Sequence, residues 1–273
     1  MRIAHAQKGG QSTQKLIDDA RAKFEDQQYD ESIQKLSAAL LRQDATKTQK
    51  IEVYRWLAYN YIVLKQEDAA KNAVYLLYAL DEDYALGSSE SPKFRDAFKK
   101  FKEAWVEEGK PGVAKTDKVV TPVAIKHIPG STVPHDQSVS VGGTVEDPDK
   151  RVAKVALFYR TGSSGKFIEV AMPLDAGAFK ANIPGTAVKP PILEYYVLAT
   201  DKGGIPIASR GDADTPLRLA VEAEQESITS KWWFWGGIGV IAVGGGILTY
   251  FALRKKDSTA PSNNSFVTIT ISE

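Results

Sequence analysis

Few residues in this chain are of types that do chemistry unaided. The 273 residues include three histidines, His5, His127 and His135, and no cysteine. The missing thiols remove disulfides, thiolate nucleophiles and cysteine-based zinc sites together. Imidazoles serve as general bases or metal ligands when a nucleophile, a carboxylate or further ligands stand near them. His127 and His135 instead flank a Pro/Gly/Ser stretch, and no nucleophile motif, ligand helix or nucleotide fingerprint accompanies them. They read as polar loop residues. Gly162-Ser163-Ser164-Gly165-Lys166 looks phosphate-binding, but it is too short for a Walker loop and leads into a strand pattern. Asp147-Pro148-Asp149 and Asp201 lack the dense spacing of a calcium loop and read as turns. Arg210-Gly211-Asp212 spells an integrin tripeptide that three residues reach by chance. The expectation is a protein that is not an enzyme, with no cofactor and no metal.

Charge excludes a second class. The formal net charge is +1, and the two signs balance in residues 1–118 and again in 119–222. A nucleic-acid binder concentrates cations to neutralise phosphates, so no nucleic-acid partner is expected. Hydrophobic residues make up 43% of the chain, enough to build packed cores.

The elements that would position these residues divide by period. Helical spacing predicts five segments, near 12–27, 29–43, 48–65, 67–80 and 92–108. In the last, Phe94, Ala97, Phe98, Phe101, Ala104 and Trp105 form one apolar stripe, and Ser91-Pro92 suits its start. Tyr54, Leu57, Ala58 and Tyr61, followed by Ala70 and Val74, resemble a tetratricopeptide repeat. Ala20, Tyr29, Ser32, Leu36 and Ala39 form a weaker upstream copy, spaced beyond the family's period of about 34 residues. The resemblance implies a concave groove for a protein or peptide, lined by Arg21, Phe24, Arg55, Tyr59 and Ile62.

From 119 to 222 the pattern alternates in short runs. Seven strands are predicted, near 121–128, 137–146, 152–160, 167–173, 178–183, 193–200 and 214–221. Period two places Tyr195, Val197 and Ala199 on one face. With Asp201 and Gly204 they resemble a strand of fibronectin type III domains, or of a related immunoglobulin-like β-sandwich. That resemblance makes Tyr195 a candidate corner tyrosine, tying strand to loop.

Residues 232–253 carry no charge and would span about 33 Å as a helix. Trp232, Trp233 and Trp235 crowd one end and Arg254-Lys255-Lys256 follow the other. The reading is a transmembrane helix with the basic triplet cytoplasmic. Within it Gly239, Ala242, Gly246 and Thr249 line a small face that could pack a second copy as a homo-oligomer. Ala4-His5-Ala6 has the form of a signal-peptidase site, and the gene product is expected to begin upstream.

The expected fold class is multidomain, α then β. Residues 1–10 would be a signal-peptide remnant or disordered, 11–108 a tetratricopeptide-like α-α array and 109–118 a linker. A seven-stranded β-sandwich would fill 119–222, a second linker 223–231, the single transmembrane helix 232–253 and a cytoplasmic tail 254–273. This order resembles bacterial envelope proteins. It implies a single-pass inner-membrane protein with its bulk periplasmic, acting as a non-catalytic scaffold that recruits a protein or peptide. The rival reading is a glycan-binding sandwich with Phe158, Tyr159 and Phe167 as an aromatic platform.

Overall fold

A computed structural model describes residues 10–113 and 121–223. Five helices come first: α1 (Thr13–Glu25), α2 (Tyr29–Leu40), α3 (Lys47–Val63), α4 (Glu67–Leu80) and α5 (Pro92–Glu107). Their ends follow local chemistry. The Ser12 hydroxyl accepts the Lys15 N–H at the start of α1, Thr46 and Gln49 close a capping box on α3, and Pro92 opens α5. The α1–α2 and α3–α4 hairpins stop alike. Gln27 and Lys65 take left-handed backbone angles, with φ of 61° and 60°. The following N–H groups, of Gln28 and Gln66, bond back to the carbonyls of Lys23 and Tyr61. Ala58 and Ala70 are wholly buried, so α3 and α4 approach closely. Leu16, Ile17, Leu36, Leu57, Leu77 and Trp105 fill the helical core.

Ten strands follow, in two sheets: β1 (Ala124–Lys126), β2 (Thr132–Val133), β3 (Val139–Glu146), β4 (Lys154–Thr161), β5 (Ile168–Met172), β6 (Leu174–Asp175), β7 (Ala178–Ile183), β8 (Ile192–Thr200), β9 (Pro206–Arg210) and β10 (Leu217–Val221). One sheet has the order β1-β3-β7-β6. The other runs β2-β10-β8-β4-β5, with β9 also paired to β8. The strands are antiparallel except β2 against β10. Tyr195, Val197 and Ala199 do share one face, and with Leu157, Ile183 and Leu193 they form the core between the sheets.

The fold class expected from sequence needs correction. Among the described residues there are ten strands where seven were expected. The three extra ones are β2 and β6, of two residues each, and β9, which begins with a proline after a tight turn and shows no alternation long enough to read. The outer face of the six-stranded sheet is also buried. Leu193–Ala199 on β8 and Val155–Tyr159 on β4 are buried without a break, whereas a strand with one wet face would alternate. The helical layer covers that face, and the described residues form one compact unit. Finally, among the described residues no helix is long and apolar enough to cross a membrane. Segment 232–253, with its proposed packing residues Gly239, Ala242, Gly246 and Thr249, lies outside the described residues. The single-pass architecture and the inner-membrane placement built on it are therefore not carried forward.

Three loops join the helices to the sheet. In the β8–β9 turn, Ile205 is 3% exposed because its side chain enters the helical core, and the Tyr61 hydroxyl donates to the Gly204 carbonyl at 3.4 Å. Gly203 is required there: a Cβ would lie 1.9 Å from Asn72 Nδ2 and 2.7 Å from Asn72 Cβ. In the β9–β10 loop, Asp214 accepts from Arg42 at 3.0 Å and from the Gln11 N–H at 2.7 Å. In the β4–β5 turn, Lys166 pairs with Asp30 of α2 at 2.7 Å.

Candidate functional site

These loop contacts hold the helices off the middle of the sheet and leave a cleft of about 720 Å³. Its floor is apolar, with Ala156 and Phe158 from β4 and Leu198 from β8. Ile33 and Ser37 of α2, Tyr61 of α3 and Ala69 of α4 face them. These residues are adjacent because paired strands place alternate side chains on one side, and because Ile33 and Ser37 stand one turn apart on α2. At the rim, Lys154 pairs with Glu169, and Lys166 with Asp30. The Asp30 hydrogen bond holds the Lys166 ammonium above the usual lysine range. Both partners of that pair are more than half exposed, so it contributes at most about 1 kcal/mol.

A second chamber of about 460 Å³ adjoins the first and shares Gln34, Lys166 and Phe167 with it. Its wall is built by Arg160. The guanidinium lies over the Phe167 ring at 4.2 Å from the centroid and donates to the Gly165 carbonyl. It also makes two bonds to Glu194 Oε2, at 2.9 and 2.6 Å. Arg218 Nε donates to Glu194 Oε1 at 2.8 Å, so a fully buried carboxylate is held between two arginines of the flanking strands. Chemically the cleft suits binding. It has no histidine in its lining, and its carboxylates Asp30 and Glu169 are each engaged by a lysine.

The groove residues expected from sequence lie elsewhere. Arg21 is exposed and paired with Glu25 on its own helix. Phe24 and Tyr59 belong to an aromatic cluster with Trp56 and Phe94. Phe94 of α5 stacks on Tyr59 at 4.1 Å and leaves it 2% exposed. Arg55 lies over the Trp56 ring and contacts Glu52. Ile62 lines a small hollow between α3, α4 and α5. Helix α5 thus lays its own side chains where a ligand was expected. Sequence reasoning missed Gln34, Ser37, Ala69 and Leu198, because the cleft forms between layers and no single element carries its pattern. The glycan platform fares no better: Phe158, Tyr159 and Phe167 are 7%, 5% and 4% exposed.

The remaining motifs are structural. Asp201 Oδ1 accepts the N–H groups of Gly203 and Ile205, which closes the β8–β9 turn. Asp212 accepts from the Asp214 and Thr215 N–H groups and lies 3.5 Å from Arg42, so the tripeptide at 210–212 is folded into its loop. His135 contacts Asp136, and His5 lies outside the described residues. His127 Nδ1 lies 2.7 Å from the Gly142 carbonyl, to which it must donate. Its Nε2, 2.8 Å from the Tyr195 oxygen, then accepts the hydroxyl proton.

No family model matches the chain, and no curated protein does. Among solved structures, the endo-β-1,4-mannanase from Thermotoga petrophila is 10% identical, with 66% of this chain and 45% of that one covered and a TM-score of 0.30. An engineered protein is 9% identical, with 66% and 46% covered, at 0.28. A Pseudomonas fluorescens alkylpurine DNA glycosylase bound to DNA containing an abasic site analog is 12% identical, with 76% and 91% covered, at 0.25. The chain spans less than half the length of the first two, and similarity this low supports neither a fold nor a function. The tetratricopeptide and fibronectin type III resemblances are corrected accordingly. Two physical differences go with the correction. Helix α5 fills the face that would be a repeat groove. Tyr195 bonds a histidine beyond the end of β1, in the facing sheet, where a corner tyrosine would bond a nearby backbone group.

The Tyr195–His127 bond should be measurable. Tyr195→Phe is expected to cost about 1 kcal/mol at neutral pH, read by urea unfolding. Burial pushes the Tyr195 hydroxyl up to about 12 from its ordinary 10.0, and does the same to Tyr54 and Tyr78. Below pH 10 both folded and unfolded states hold these protons, and stability is complete. Between pH 10 and 12 the unfolded chain ionises first, so stability falls as pH rises. The decline should be shallower in Tyr195→Phe; an unchanged slope would exclude Tyr195 as a contributor.

Proposed function

We propose that this protein is a non-catalytic adaptor that holds a peptide segment of a partner protein between its helical layer and its six-stranded sheet. The observation that carries this reading is the cleft of about 720 Å³ with an apolar floor and paired charges at its rim. Small-ligand sites share this size and character. A second chamber of about 460 Å³ shares Gln34, Lys166 and Phe167 with the cleft, and an extended chain laid across these three residues would reach both, which a compact molecule would not.

The test is selection of a phage-displayed dodecapeptide library on the full chain, followed by titration of the enriched peptides. Ala69→Trp would fill the cleft from α4 without touching the ion pairs. It should weaken binding about tenfold, equivalent to roughly 1.4 kcal/mol. Equal affinity for this variant and the parent would remove the cleft from consideration.

A further inference from the structure

Strand β5 ends one side of the six-stranded sheet, and among the described residues only β4 pairs with it. The ladder shows which groups lie on its open edge. The Gly162 N–H donates to the Ile192 carbonyl, one step beyond the Thr161–Leu193 pair, so even-numbered residues of β4 turn their peptide groups to β8. The odd ones, Val155, Leu157 and Tyr159, turn theirs to Met172, Val170 and Ile168 of β5. Glu169 and Ala171, which stand between those partners, therefore aim both N–H and C=O away from the sheet. Both residues are exposed, and among the described residues no backbone group bonds them. Donors and acceptors recur there about every 7 Å, the two-residue repeat of an extended chain.

Natural sheets protect such edges by shortness, proline or lysine. The other edges follow that rule: β1, β2 and β6 have three, two and two residues, and β9 opens on Pro206. Strand β5 has five residues with no proline and no lysine, and its one charge, Glu169, is paired back to Lys154 of β4. Ile168 beside it is 53% exposed. The edge also begins at the cleft. Phe167, the residue before β5, lines both chambers, and Ile168 and Glu169 line the first. From this arrangement we infer that the partner segment joins the sheet as an added strand on β5, with a β-branched or aromatic residue beside Ile168. One end of the segment then passes Phe167 into the chambers. The inference rests on the peptide-binding reading and adds the mode to it: the main chain supplies the hydrogen bonds, so peptides of differing sequence share the edge.

Residue-resolved hydrogen exchange of the full chain, with and without the enriched dodecapeptides, tests it. In the free chain the Glu169 and Ala171 amides should exchange as exposed groups, and saturating peptide should slow both about tenfold or more. Ala171→Pro removes an N–H that faces away from β4, so the ladder is kept and peptide affinity should fall about tenfold. Methylating the peptide's own amides one at a time should weaken binding at alternate positions of the stretch that pairs with β5. Peptides that bind yet leave both protein amides fast, or tolerate methylation at every position, would overturn strand addition while leaving the cleft reading intact. Amides already slow in the free chain would show the edge occupied, by a second copy if dilution frees them and by another segment of this chain if it does not; either result overturns the inference. Enrichment of no peptide would overturn both the inference and the reading beneath it. The exchange and methylation arms use the parent chain, so they stay decisive even if Ala171→Pro unfolds.

Discussion

Glu194→Ala should destabilise the protein by about 3 kcal/mol, one of the two largest single effects expected in the chain. The carboxylate is fully buried, and its register partners on the neighbouring strands are Arg160 and Arg218. Removing it leaves two guanidiniums facing each other across a central strand. Arg218, with its side chain 65% exposed, can turn to water; Arg160, at 18%, cannot do so without giving up Phe167. The loss should therefore fall on Arg160 and spread to the cleft wall. Urea unfolding checks the energy, and the selected peptides check the wall, since their affinity should drop with stability. Replacing Arg160 by Met and Glu194 by Leu together should recover most of the stability, because an apolar pair of similar volume avoids desolvating charge. A single-variant loss below about 1 kcal/mol would mean the triad is not held as described.

Ile205→Ala is the second. The residue sits in a turn of the sheet but is 3% exposed inside the helical core. Truncation of a buried isoleucine costs about 2–5 kcal/mol, and here the cavity opens at a joint between layers. The expected result is a loss of about 3 kcal/mol together with broken cooperativity. Helical circular dichroism and hydrogen exchange of the β4 and β8 amides, coincident in the parent, should report separate transitions in the variant. The cleft spans the same joint, so peptide binding should be lost before either layer melts. Coincident transitions in the variant would show that the other two loops suffice to hold the layers together.

The helices were legible because each carries its own signal. Phe98, Phe101 and Trp105 recur at helical spacing and are buried, and Ser91-Pro92 marks the start of α5 within a residue. Strands β3, β4 and β8 were legible for the same local reason. What two-residue periodicity hid was the helical cover on the outer sheet face, although a signal for it exists. Leu193 to Ala199 is apolar at every position but Glu194, and such a run marks a strand buried on both sides. The cleft was not legible at all. Lys166 meets Asp30, Gly204 meets Tyr61 and Asp214 meets Arg42 across separations of more than a hundred residues, and turn residues of this kind show no period. The aromatic residues Phe24 and Tyr59 misled for the opposite reason. Their spacing matches a ligand-facing stripe, and only the path of α5 shows that Phe94 lies on them.

The buried outer face of the six-stranded sheet has a consequence for biosynthesis. Helical hairpins close contacts between near neighbours and form within microseconds of becoming available. The sheet must wait, since β3 pairs with β7 and β2 with β10. At about 5–20 residues per second, a ribosome needs roughly 5–20 s to make the strand region after the helices have emerged. Phe158, Phe167, Tyr196 and Leu198 would make a sticky surface if the sheet were completed alone. Because the helices precede it in the chain, that surface meets a finished cover as it forms. The order of the two halves along the polypeptide should thus guard against aggregation during translation, and a circular permutant that placed the strands first is expected to leave a larger insoluble fraction than the parent when both are translated in vitro.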